Sequence, residues 1–207
     1  QIAPTKCRGN FSISVGEKIM GQIKKTIEVF ERLRKPACRI NVENGVEILL
    51  RFSREHYHHL AGFQHLTDLP DIASPANGRQ KFYNDIRKET YQKKESVQVL
   101  SILRLPIGLI ILKFGGNTGP GEGRIIVEFD KSSPGSLINA KFYLFKHRSS
   151  MQGNVTYYTL FINSGGDNLY YPVTYLVEHS PIYMRDQQLY ECTIECIDPK
   201  ALKPTDM

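Results

Sequence analysis

Cys38-Arg-Ile-Asn-Val-Glu-Asn-Gly-Val-Glu-Ile-Leu-Leu-Arg-Phe52 is the stretch from which the fold is read. Two β-rich runs, Cys38–Val42 and Val46–Phe52, flank Glu43-Asn44-Gly45. Asn-Gly between such runs tolerates the positive φ of a tight turn, so the pattern predicts a hairpin. Upstream, Ile19, Met20, Ile23, Ile27, Phe30 and Leu33 recur at helical spacing, with Lys24, Lys25, Glu28, Glu31 and Arg32 on the other face. This predicts a helix over 17–35, stopped by Pro36. Residues 1–16, with Pro4, Gly9 and Gly16, read as an arm.

Downstream, the hairpin delivers the chain into Phe52–Leu69, which holds four of the six histidines: His56, His58, His59 and His65. Loops follow at Leu69-Pro70 and Ser74–Gly78, then two short helical segments, Lys81–Tyr91 and Lys93–Leu103. The run Leu105–Phe114, broken by Pro106, Gly108 and Lys113, reads as a buried strand or hairpin arm. A glycine-rich segment over 115–123 lacks the Gly-Lys-Ser/Thr ending and the following helix of a phosphate cradle, so it reads as a hairpin loop. Strands are expected at Arg124–Asp130, Leu137–Phe145, Tyr157–Asn163, Tyr170–Val177 and Leu189–Ile197, divided by turn clusters. The resulting expectation is an α+β fold: an N-terminal helix and hairpin, then helices packed on a curved antiparallel sheet. One domain spans 17–198, with a tail at 199–207.

The chain has 207 residues, 41% of them hydrophobic and 23% charged, a balance that supports a folded core. Its 27 Lys+Arg against 21 Asp+Glu leave a net charge of +6, which suits a polyanionic partner such as nucleic acid. It begins at Gln1 rather than at a methionine, as a processed or excised piece would, and shows no signal-peptide pattern. Four cysteines, Cys7, Cys38, Cys192 and Cys196, are too few for a disulfide scaffold, so a reducing, cytoplasmic setting is expected. Cys192 and Cys196 share one face of a strand but lie too far apart along it to bridge each other. No stretch approaches the ~18 apolar residues of a membrane span. Asn10-Phe-Ser12 and Asn154-Val-Thr156 match the glycosylation pattern, which matters only in a secreted chain.

The histidine cluster admits a metal site, a proton-transfer site or a solvated turn. On an extended segment His56 and His58 would share one face and His59 the other, and no H-E-x-x-H is present. A metal is therefore not expected, nor any other cofactor. No G-x-S-x-G elbow or papain-type cysteine context appears. Metal-free RNA cleavage needs only a base, an acid and a cation or donor for the phosphate, groups that this basic, histidine-bearing chain contains.

Phe52–Leu60, continuing through Gly62, resembles the F-x-x-x-x-F-x-H-L-x-G stretch of the phage-associated barnase–EndoU–colicin–RelE-like nucleases, and is most similar to the fourth of those families. Further pieces follow in order over residues 46–197. Lys81-Phe82-Tyr83 resembles the start of the next helix, and Leu103-Arg104-Leu105-Pro106 an R-L-x-x-L-P-type segment. Ser136–Lys141 is similar to an S-x-I-x-A strand, Tyr171-Pro172-Val173-Thr174 to a Y-x-P-x-S/T element, and Gln188 stands where a late glutamine is usual. The resemblance implies an RNase-type fold with its site on the concave face of the sheet. It implies that His59 transfers protons, that Thr174 bonds the scissile phosphate and that Lys141, on the middle strand, supplies charge. Arg54, Lys81 and Gln188 would bind substrate, and His56, His58 and His65 would be solvated or supporting. Gln64 stands where the family often has a basic residue, and Thr174 replaces a more usual serine. RNA is the implied partner, with an antitoxin or immunity protein beside it and no membrane.

Two other readings use the same residues. One is a catalytically silent basic module that binds RNA or protein. The other is an ADP-ribosyltransferase-like enzyme, with His59, Tyr157-Tyr158 and Tyr170-Tyr171 as an NAD clamp and Glu191 or Glu195 as its late glutamate.

Overall fold

The computed structural model describes residues 26–63, 74–75, 78–88 and 124–198, less 133, 134, 150, 152 and 167. Expectations for the arm, Lys93–Leu103, Leu105–Phe114, the glycine-rich segment, His65, Cys7 and the tail fall outside these residues. Residues 26–34 are helical (α1). They are followed by β1 (Ala37–Val42), β2 (Glu47–Leu50), α2 (His56–Leu60) and α3 (Arg79–Arg87). Then come β3 (Arg124–Glu128), β4 (Phe142–Ser149), β5 (Val155–Gly166), β6 (Leu169–Glu178) and β7 (Gln188–Ile197), with a 3₁₀ turn at Ile182–Met184 before β7.

The hairpin forms where Asn-Gly predicted it. Gly45 has φ 87°, and Cys38 lies opposite Leu50. The architecture around it differs from the expected α+β fold. The seven strands close into a barrel in the order β1-β2-β6-β5-β4-β3-β7. β1 takes a second antiparallel partner in β7, and β2 pairs in parallel with β6 through Leu49–Leu169 and Leu50–Tyr170. These two long-range contacts remove the open edges that a curved sheet would have kept. Leu137–Lys141, expected within a strand, is irregular, and Lys141 sits just ahead of β4 rather than on a middle strand.

Side-chain alternation places Cys38, Ile40, Val42, Ile48 and Leu50 in one apolar cluster with Leu144, Leu160 and Tyr175. Ile27, Phe30 and Leu33 of α1, Tyr57 and Leu60 of α2 and Phe82 and Ile86 of α3 join the same cluster, so the helices are held by burial against the strands. The alternate residues Val127, Phe129, Tyr143, Phe145 and Phe161 form a second cluster, against which Ile138, Tyr183 and Met184 pack.

A one-residue irregularity in β6 links the fold to the site. Phe161 pairs with Thr174 but Ile162 pairs with Pro172, so Val173 is an extra residue between two regular stretches. Such a bulge reverses the in–out parity of everything beyond it. Tyr170 and Tyr175 both reach the first cluster although one is even-numbered and the other odd. Tyr171, Thr174 and Leu176 are thereby brought to one cleft.

Candidate active site

α2 is one and a half turns long and is defined at both ends by local chemistry. At its start the Ser53 backbone N–H donates to His56 Nδ1 at 3.0 Å, while the His56 N–H donates to the Ser53 carbonyl at 3.1 Å. These two bonds tie the His56 ring and backbone to Ser53 in the turn ahead of the helix, whose N-cap residue, Glu55, makes no side-chain cap. At its end Gly62, with φ 77°, donates to the His59 carbonyl at 3.0 Å. The glycine of His59-Leu60-Ala61-Gly62 thus serves the left-handed stop that other residues adopt only with strain.

The helix corrects the extended-segment geometry expected for the histidines. His56 and His59, three apart, share the face that lines the cleft, whereas Tyr57, His58 and Leu60 are buried. His58 is only 1% exposed, with its ring 5.5 Å from that of Phe82 and 5.9 Å from that of Phe63, so it is a core residue rather than a solvated one. Tyr57 packs edge-on against Tyr83 at 5.1 Å and Phe63 at 5.7 Å, and its hydroxyl lies 2.6 Å from Thr26 Oγ1. This aromatic layer fixes the back of α2 and so aims His56 and His59 outward.

The cleft has a volume of about 1080 Å³. α2 contributes His56 and His59, with Glu55 beside them. The start of α3 contributes Gly78, Arg79 and Gln80, and β6 contributes Tyr171, Pro172, Val173, Thr174 and Leu176. Asn139 and Tyr183 complete its polar lining. His56 stacks on Tyr171 with ring centroids 5.5 Å apart and planes 14° from parallel. A backbone N–H can only donate, so His56 Nδ1 is unprotonated and its proton resides on Nε2. Burial lowers the His56 pKa below the usual histidine value, an effect that the nearby Glu55 carboxylate partly offsets. His56 is therefore a neutral hydrogen-bond donor at neutral pH.

Arg79 is the one fixed cation among the lining residues, and among the described residues it has no ion-pair partner. Several basic groups elsewhere are engaged. Arg34, Arg54 and Arg87 all approach Glu31, Arg39 lies between Glu47 and Glu195, and Lys81 Nζ is 2.6 Å from Asp85.

Of the residues singled out in the sequence, His59 and Thr174 come together although 115 positions separate them. Arg54, Lys81, Lys141 and Gln188 do not line the cleft. The Lys141 ammonium lies 5.7 Å from the Phe142 ring and 5.9 Å from that of Tyr170. Gln188 is exposed on β7 opposite Glu128. Glu191 and Glu195 are likewise on β7 and outside the cleft. Arg79 lines the cleft without having been picked from the sequence, as do His56, expected to be solvated or supporting, and Tyr171, named there in the Y-x-P-x-S/T element and as part of an NAD clamp. No group of three or more metal-ligating side chains occurs among the described residues, and no helix there is long and apolar enough to cross a membrane.

No curated protein and no solved structure matches the chain. A family model does, over α1, the hairpin, α2 and α3, and its span includes His59 and Arg79 but ends before Thr174. Residues 22–101 match the phage-Barnase-EndoU-ColicinE5/D-RelE like nuclease4 family, the phage nuclease family that the histidine motif resembles.

Proposed function

We propose that the cleft binds RNA and cleaves it without a metal, with His59 as the proton-transfer residue. The observation that carries this reading is the convergence of His59, Thr174 and Arg79, from three separate elements, on one cleft. His59 takes the proton of a ribose 2′-hydroxyl as its oxygen bonds to phosphorus, and the departing 5′-oxygen is protonated by water entering the cleft. Arg79 offers a planar, permanently charged fork to the phosphate, the role first given to Lys141. The Thr174 hydroxyl and the His56 Nε2–H add hydrogen bonds to its oxygens. The family's nuclease description and the net charge of +6 support the same class of substrate.

His59→Ala is expected to keep the far-UV spectrum and lose RNA cleavage in EDTA by about 10²–10⁴-fold, the usual contribution of a positioned acid–base group. Arg79→Ala is expected to weaken RNA binding and reduce its salt slope by about one, whereas Lys141→Ala leaves the slope unchanged. Full cleavage by His59→Ala refutes the catalytic role. Salt-dependent binding by a wild-type protein that never cleaves would instead make the chain a binding module.

A further inference from the structure

Cys38 and Cys196 are 158 positions apart, yet they face each other across the β1–β7 seam. The Glu43 N–H donates to the Glu191 carbonyl, which makes that pair a hydrogen-bonded one and sets the phase of the ladder. Pairs in an antiparallel ladder alternate, so Asn41–Thr193 and Arg39–Glu195 are hydrogen-bonded while Cys38–Cys196 is not. In a non-hydrogen-bonded pair the Cα atoms approach to ~4.5 Å, inside the ~4.4–6.8 Å range that a disulfide spans. The two sulfurs stand 3.9 Å apart. Cys192, the other cysteine described on this strand, pairs in register with Val42 and Arg124.

The two thiols differ in access. Cys196 is exposed and Cys38 is buried. We propose that Cys38 and Cys196 form a redox-active pair, a modification site at which a small disulfide such as oxidised glutathione makes a cross-strand bridge. The Cys196 thiolate attacks one glutathione sulfur, forming a mixed disulfide and releasing one glutathione thiolate. Cys38, after losing its proton, attacks the Cys196 sulfur and expels the second glutathione. Both protein protons end on the two released thiols, and the two electrons given up by the cysteines reduce the reagent. The neighbouring Cys196 thiol and burial both raise the Cys38 pKa, which leaves the exposed Cys196 as the thiol that makes the first attack. The bridge joins β1 to β7, the antiparallel contact that closes the barrel on one side of the N-terminal hairpin.

The test treats the whole chain with oxidised glutathione, quenches free thiols by alkylation and maps the peptides without reduction. The expected product is a Cys38–Cys196 cross-linked peptide in wild type and in Cys192→Ser, reversed by dithiothreitol and absent in Cys196→Ser and Cys38→Ala. The oxidised wild type should also melt at a higher temperature than its reduced form, a difference lost in Cys196→Ser. A stable glutathione adduct on Cys196 with Cys38 still alkylated, a bridge to Cys7 or Cys192, or no loss of free thiols would each overturn the proposal.

Discussion

Glu31→Gln tests how the two helical walls of the cleft are held. Glu31 Oε1 accepts the Tyr83 hydroxyl at 2.6 Å and Glu31 Oε2 accepts Arg34 at 2.9 Å, while Arg54 and Arg87 stand at 4.0 Å. One carboxylate on α1 therefore engages α3 and the turn entering α2. Its side chain is 18% exposed, and glutamine preserves its shape but removes its charge. A hydrogen bond to a charged group contributes about 1.5–3 kcal/mol, and part of each survives with the amide. The 4.0 Å pairs, screened by solvent, add little. The net loss comes to about 2 kcal/mol, or a melting temperature lower by roughly 4–8 °C for a chain of this size. The pH dependence supplies a second check. Burial raises the Glu31 pKa, but the Tyr83 hydroxyl and the arginines outweigh it, leaving the carboxyl below its usual 4.5. A depressed carboxylate contributes stability that is present above its unfolded pKa and lost as pH falls through its folded one. Urea unfolding should thus show the full difference at pH 7 and a shrinking one below 4.5. A difference under about 0.5 kcal/mol at neutral pH, the size of an ordinary surface effect, refutes the reasoning, as does one that persists in acid.

Two further outcomes follow from the same region. His56 should titrate below 6.5 by NMR, since burial disfavours its charged form. Its contribution is complete above the unfolded pKa and is lost as pH falls towards the folded one, so His56→Gln should flatten the stability profile below 6.5. Phe63, 1% exposed among Tyr57, His58 and Phe82, should cost about 3–5 kcal/mol on truncation to alanine in denaturant melts. A cost below about 1 kcal/mol would mean that the aromatic layer does not hold α2 in place.

The local elements were legible because their signals are local. Asn44-Gly45 predicted the hairpin, and the periodicity through Ile27, Phe30 and Leu33 predicted the helix that contains them. The β-branched runs located β3, β5, β6 and β7 to within a few residues. Closure was not legible. Nothing in Ala37–Val42 specifies Ile197–Cys192 as its partner, and a parallel contact of only two residue pairs between β2 and β6 has no pattern to detect. α2 escaped because five residues are too few for a period, and His-Tyr-His-His-Leu favours neither state strongly. The cleft lining was legible in part. The motif singled out His59 and the ordered pieces Thr174, and both line the cleft. Arg79 follows a glycine in a polar stretch with nothing to distinguish it from other surface arginines. The bulge at Val173, which decides what Tyr171 and Thr174 face, is a property of the pairing rather than of either strand.

The β1–β7 seam also sets a timetable for making the protein. Every residue of the N-terminal hairpin is synthesised long before the strand that completes it. At about 5–20 residues per second, the 158 positions between Cys38 and Cys196 take roughly 8–30 s to translate. Throughout that interval the outer edge of β1 lacks the strand that pairs with it in the finished barrel. A nascent barrel of this connectivity therefore passes through a sticky, open-edged stage on the ribosome, and only the arrival of Gln188–Ile197 brings it to an end.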